Sequence, residues 1–141
     1  MYLLLRPTFE SGVKASYGVL YTAFGPTPAG VFASADGALR KGAVTVNWRT
    51  NVETGTARFV VESSKTESGP FTEVAGTETE PKGNHSFYTV SFPNPYPKAK
   101  RFFVRVKSQD FDGKEYVSNT VKIARKVVVQ AGKEVFLDEQ Q

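Results

Sequence analysis

The segment Val44-Thr45-Val46-Asn47-Trp48 alternates apolar and polar side chains, a period of 2 that suits a half-buried β-strand, whose successive side chains point to opposite faces. It is answered by Phe102-Phe103-Val104-Arg105-Val106-Lys107, from which Asp110-Phe111-Asp112-Gly113-Lys114 turns toward Tyr116-Val117-Ser118. Half-buried strands joined by turns must cover their apolar faces with a second layer, and the sequence predicts an all-β antiparallel sandwich. No long helix is expected, because no stretch of about ten residues keeps a 3.6 period clear of Gly, Pro or β-branched clusters.

The rhythm continues along the chain. Strands are expected at Val31 to Ala35, Ala43 to Arg49, Ala57 to Ser63, Phe71 to Ala75, Ser86 to Phe92, Lys100 to Gln109 and Tyr116 to Ala124. The breaks between them carry turn residues: Asp36-Gly37, Glu53-Thr54-Gly55, Glu67-Ser68-Gly69-Pro70, Pro81-Lys82-Gly83-Asn84, Pro93-Asn94-Pro95 and Asp112-Gly113. Three parts follow: an N-terminal extension over 1–30, a sandwich over 31–125, and a strand or hairpin extension over 126–141. The first part holds strand-like segments at Tyr2 to Phe9 and Tyr17 to Phe24, closed by Gly25-Pro26-Thr27-Pro28.

Alternation assigns faces. Val44, Val46 and Trp48 point one way, and the expected inner layer adds Phe59, Val61, Tyr88, Val90, Phe92, Phe102, Val104, Val106, Val121 and Ile123. Fully burying a large apolar side chain contributes about 1.5–3 kcal/mol, so this set supplies a core without cofactor or metal. No cofactor is expected.

Composition excludes some chemistry. The chain has 141 residues, the size of one sandwich with extensions, and no cysteine, so thiolate nucleophiles, cysteine zinc sites and disulfides are ruled out. Its net charge is +4. The lysines and arginines are scattered rather than gathered into the concentrated basic footprint that nucleic acid requires, so no nucleic-acid partner is expected. Met1 to Leu5 is shorter than the about 7–15 apolar residues of a signal core. Val19 to Ala35, ending in the small residues Ala33-Ser34-Ala35, is interrupted by Gly25-Pro26-Thr27-Pro28. No segment reaches the about 18 apolar residues of a membrane span.

Taken with Phe59-Val60-Val61-Glu62-Ser63, Phe71-Thr72-Glu73-Val74 and the run from Phe103 to Lys114, the tryptophan strand resembles a fibronectin type III domain. The likeness covers roughly Val31 to Arg125. Trp48, Thr50 and Glu53, followed by Phe59, Val61, Glu62 and Ser64, then Phe71 to Val74 and Arg105 to Lys114, resemble the form found in secreted and surface proteins of Bacteroidetes. The resemblance implies a seven-strand fibronectin type III or immunoglobulin-like sandwich with extra terminal strands, in an exported accessory or adhesive module without catalysis. Two departures stand out. Phe102 occupies the place of the tyrosine that ties a corner in this family, leaving that bond absent or moved to Tyr96. No Arg-Gly-Asp tripeptide is present.

Each candidate site has a plainer reading. Asp110, Asp112 and Gly113 imitate the start of a calcium loop but lack the remaining ligands, and a hairpin turn accounts for them. His85 is the single histidine and reads as a loop residue. Asn84-His85-Ser86 is a formal glycosylation triplet. Glu78 and Glu80 lie in a polar loop, without the contrasting environments that acid–base pairs need. No enzyme is expected.

Two features point to interaction. Val60 and Phe103 fall on outward strand faces and are expected to form a small apolar patch. Leu3, Leu4, Leu5, Val127, Val129, Val135 and Phe136 lie outside the seven strands and are too apolar to stay unpaired in water. The favoured reading is a structural or protein-interaction subunit of an extracellular or cell-surface assembly, whose terminal strands dock on this sandwich or on a neighbour's open edge, the neighbour being another copy of itself or a member of the surface assembly. A carbohydrate-binding accessory domain using Tyr96 and Phe111 is one alternative, and a phage virion protein, suited by the Met1 start, is another.

Overall fold

Ten strands account for most of residues 30–137, the part of the chain that the structure, a computed structural model, describes. They are β1 (Phe32–Arg40), β2 (Ala43–Thr50), β3 (Thr56–Ser64), β4 (Thr72–Glu73), β5 (Phe87–Pro93), β6 (Arg101–Asp110), β7 (Glu115–Val117), β8 (Val121–Ala124), β9 (Val127–Gln130) and β10 (Lys133–Phe136). One sheet has the order β1-β2-β5. The other has the order β4-β3-β6, with β7 and β8 both pairing the far side of β6, and every pairing is antiparallel. This is an all-β sandwich, two sheets closing on one apolar layer.

The inner layer follows the alternation. Val44, Val46, Trp48, Phe59, Val61, Tyr88, Phe92, Phe102, Val104, Val106 and Ile123 are buried together, while Val90 and Val121 are partly buried against them. The Trp48 ring is 1% exposed and stacks on Tyr88 at 5.1 Å between centroids, with Phe59 tilted against both. Tyr96 packs on Phe102 at 5.5 Å, and its hydroxyl lies 3.2 Å from Ser63 Oγ. A tyrosine tie therefore comes from Tyr96, one loop away from Phe102.

Three boundaries depart from the sequence expectation. Asp36-Gly37 is no turn, because β1 runs through it to Arg40. The turn falls at Lys41-Gly42, with φ of 51° and 82°. Two left-handed residues between the paired Arg40 and Ala43 give the type I′ hairpin that matches strand twist. Gly37 serves packing instead, since a Cβ there would lie 3.3 Å from the Thr45 carbonyl and 3.5 Å from Ile123 Cδ1. Tyr116 to Ala124 divides into β7 and β8, where Ser118 turns its hydroxyl to the Val106 N–H and the strand skips a step. Phe71 to Ala75 contracts to the two residues of β4.

Candidate interaction surface

The outer face of β3 and β6 is a lattice of charge. Register sets Glu62 opposite Arg105 on β6 and opposite Glu73 on β4, with Val60 opposite Lys107, so the cations of β6 stand among these carboxylates. Arg105 Nε donates to Glu62 at 2.9 Å, and Lys107 reaches Glu73 at 2.9 Å, Glu62 at 3.2 Å and Glu115 at 3.6 Å. Arg58 donates to Glu73 at 2.7 Å and to Gln109 at 3.0 Å, and Glu78 stands 3.8 Å away. Hydrogen bonds from Lys107 and then Arg58 hold the Glu73 carboxyl below its ordinary value. Burial works against the Lys107 ammonium, but its bonds to Glu73 and Glu62 outweigh that and raise it.

This lattice corrects the expected apolar patch. Val60 is 3% exposed and Phe103 8%. Lys107 is drawn down by three carboxylates, so its stem runs along the face opposite Val60. Phe103 lies between Ser64 and Lys122 in register. What the face presents to solvent is polar.

At the end of the sandwich where β2 gives way to β3, Glu53 is 6% exposed yet fully bonded. Its Oε2 accepts from Thr50 and Tyr88 hydroxyls at 2.6 Å each, and its Oε1 accepts backbone N–H groups of Lys82 at 3.1 Å and Gly83 at 2.8 Å. Burial first, and the bond to Glu53 second, push the Tyr88 hydroxyl up to about 12. A saturated carboxylate of this kind fixes loops and leaves no free lone pair for a ligand. Asn84 Oδ1 accepts the Glu53 N–H at 2.7 Å, and His85 beside it is exposed with φ 61°. Glu80 is exposed in the segment leading to this cluster. In the β6–β7 turn one Asp110 oxygen accepts the Lys114 and Asp112 N–H groups at 2.8 and 3.2 Å, so it holds the turn. Among the described residues no His, Cys, Asp and Glu cluster of three is placed to hold a metal ion.

The loop aromatics separate. Phe111, 81% exposed, sits beyond the last residue of β6, whereas Tyr96 precedes its first residue and lies against Phe102. They occupy opposite ends of the sandwich and form no common platform.

Sheet edges differ in how they are covered. The β3 edge is closed by the segment 74–79, where Val74 bonds Val61, Phe59 and Thr79 exchange N–H groups, and the Thr77 hydroxyl accepts from Val61. The β5 edge ends in Pro93 and has its Phe87 carbonyl taken by Lys82 Nζ at 2.7 Å. β7 has three residues. Among the described residues the edges of β1 and of the four-residue β8 have no strand paired to them, and they flank a groove of about 410 Å³ lined by Gly37, Leu39, Lys122, Ala124, Lys126 and Leu137 among others. At its head Asn119 Oδ1 accepts the Ala35 N–H and Nδ2 donates to the Ala35 carbonyl, both at 3.0 Å. Ala35 therefore points its backbone groups away from β2, and by the two-residue period Gly37 and Leu39 do the same. On the other wall Arg125 N–H bonds Lys100 O, so Ile123 also faces β6 while Lys122 and Ala124 turn their N–H and C=O to the groove.

Below the groove β9 and β10 form a hairpin, turned at Ala131-Gly132 with φ of 52° and 78°. Arg125 anchors it: its guanidinium stands 3.5 Å over the Phe136 ring and donates to the Pro97 carbonyl at 2.7 Å. Leu137 N–H bonds Lys126 O. Val127, Val135 and Phe136 are half-buried, whereas Val129 is 70% exposed. Leu3, Leu4 and Leu5 lie outside the described residues. The roles of Asn119 and Arg125 carry no sequence signal, since their partners lie far along the chain, whereas the spacing of Trp48, Thr50 and Glu53 marks Glu53 without showing its partners at Lys82, Gly83 and Tyr88. Among the described residues no helix is long and apolar enough to cross a membrane.

No family model matches the chain. No curated protein matches it either. Solved structures do. One is a Fn3-like protein from Clostridium thermocellum, 17% identical, with a TM-score of 0.44 over 66% of this chain and 92% of that one. Another is pectate lyase Pel3 from Pectobacterium carotovorum, 17% identical, with a TM-score of 0.44 over 63% of this chain and 26% of that chain. A second structure of that lyase is 16% identical, with a TM-score of 0.40 over 71% of this chain and 29% of the other.

Proposed function

We propose that this β-sandwich is a non-enzymatic protein-interaction or structural subunit of an exported, cell-surface assembly, which associates with other copies of itself by docking a strand on an open sheet edge. One observation carries the reading: among the described residues the β1 and β8 edges have no strand paired to them and lie beside a groove, while the β3 edge is covered and the β5 edge ends in proline. Strand addition draws affinity from main-chain hydrogen bonds and specificity from alternate side chains. The separation of Tyr96 from Phe111 and the charged outer face both weigh against a sugar platform.

The test is association. Sedimentation of the full chain over a concentration series should show assembly, and deletion of residues 1–24 should leave a folded domain that no longer associates. A full chain that stays monomeric at high concentration overturns the reading.

A further inference from the structure

The geometry points to the β1–β8 groove as a strand-docking site and to an extended, acidic segment of a partner protein as its occupant, an inference that rests on the strand-docking reading above but not on residues 1–24, which carry Arg6, Glu10 and Lys14 and are not acidic. Two independent observations meet there. The first is hydrogen-bonding capacity. Gly37 and Leu39 on one wall and Lys122 and Ala124 on the other turn backbone N–H and C=O groups to the groove, and among the described residues none of the four has a partner for them. An extended segment lying along the groove meets donors and acceptors from both walls.

The second is charge. Lys122 and Lys126 line the groove, both are exposed, and neither belongs to any ion pair among the described residues. On the outer face of β3 and β6, by contrast, Arg58, Arg105 and Lys107 each bond carboxylates, and Lys100 stands 3.8 Å from Glu134. Among the described residues no Asp or Glu lines the groove. Two unmatched ammonium groups on a main-chain hydrogen-bonding slot select carboxylate side chains on the incoming segment. Asn119 already takes the Ala35 backbone groups, so the stretch of β1 left to an incoming segment is Gly37 to Leu39.

Three labelled peptides test this on the full chain: one alternating valine with glutamate, its lysine counterpart, and the glutamate peptide methylated on alternate backbone nitrogens. The glutamate peptide should bind with an affinity that falls with salt, and the lysine peptide should not. Backbone methylation, and separately the double substitution Lys122→Glu with Lys126→Glu, should each weaken binding about tenfold or more, a loss of about 1.4 kcal/mol. Circular dichroism and melting keep a folding defect apart from a binding defect. Equal binding of the lysine peptide, indifference to the double substitution, or no binding of the glutamate peptide overturns the proposal, the lysines then serving only to guard the edge. Sedimentation of the same variants separates the two readings. If the double variant still assembles but peptide binding is absent, the groove assignment fails while strand docking at another edge stands. If peptide binds but the full chain never assembles, the groove stands and self-association fails.

Discussion

Asn119 grips Ala35 by both ends of its side-chain amide, accepting the N–H and donating to the carbonyl at 3.0 Å each. The amide stands where a neighbouring strand's backbone would stand, and it bridges the two sheets. Asn119→Ala strands two partly buried backbone groups and should cost about 1–3 kcal/mol in denaturant titration, with faster amide exchange at Ala35. Asn119→Asp should fare no better, because its second oxygen meets the carbonyl without a proton. An unchanged midpoint in both variants would show that water replaces the clamp.

Trp48 is the centre of the aromatic stack, held between Tyr88 and Phe59. Trp48→Ala should cost about 3–5 kcal/mol, enough to unfold much of a domain whose stability is about 5–15 kcal/mol. Urea titration followed by circular dichroism reads it, and a loss below about 1 kcal/mol contradicts the packing.

Tyr88 gives the fold an alkaline limit. Its hydroxyl is raised to about 12 by burial and by Glu53. Between the ordinary value near 10 and that value the folded state holds a proton the unfolded state has lost, so stability falls as pH rises through this window. The loss is on the order of 3 kcal/mol, since each tenfold difference in proton affinity corresponds to about 1.4 kcal/mol. Tyr88→Phe should be less stable at neutral pH, having removed a donor from Glu53, and should show a flatter stability profile between pH 10 and 12. A profile as steep as the parent's refutes the assignment.

Glu73 sets the acid side. Its carboxyl is held below 4.5 by Lys107 and Arg58, so its contribution is present above that value and fades as pH falls through the lowered one. The melting temperature should drop on acidification below about pH 4.5, and Glu73→Gln should shrink the drop. High salt should act in the same direction, because the pair is partly exposed.

Gly37→Ala places a methyl group against the Thr45 carbonyl, which the β1–β2 ladder prevents from moving. Overpacking of this kind should cost about 1–3 kcal/mol, and Gly37→Val more. Thermal melting checks the order.

The sandwich is legible in the alternation around Trp48 and Val104, because a period of 2 fixes facing without knowledge of partners. Gly37 reads as a turn because glycine's two roles, left-handed backbone and close approach, look alike in a sequence. Val60 and Phe103 do fall on the outward face, yet burial there depends on how Lys107 is held by Glu62, Glu73 and Glu115, one strand or loop away. Glu53 illustrates the same limit: its acceptors are satisfied by Lys82, Gly83 and Tyr88, about thirty positions downstream. Interaction sites made of strand edges leave little signature, since what matters is which backbone groups remain unpaired.

The chain enters β1 beside the end of β2 and leaves β8 beside the start of β6, so the two attachment points lie at opposite poles of the sandwich. Tension applied between them would pull β1 and β8 lengthwise past their neighbours rather than peel them off one bond at a time. The β1–β2 and β6–β8 ladders, with the Asn119 clamp, would then break together. Under such shear the lifetime of the fold would be set by its unfolding barrier rather than its equilibrium stability.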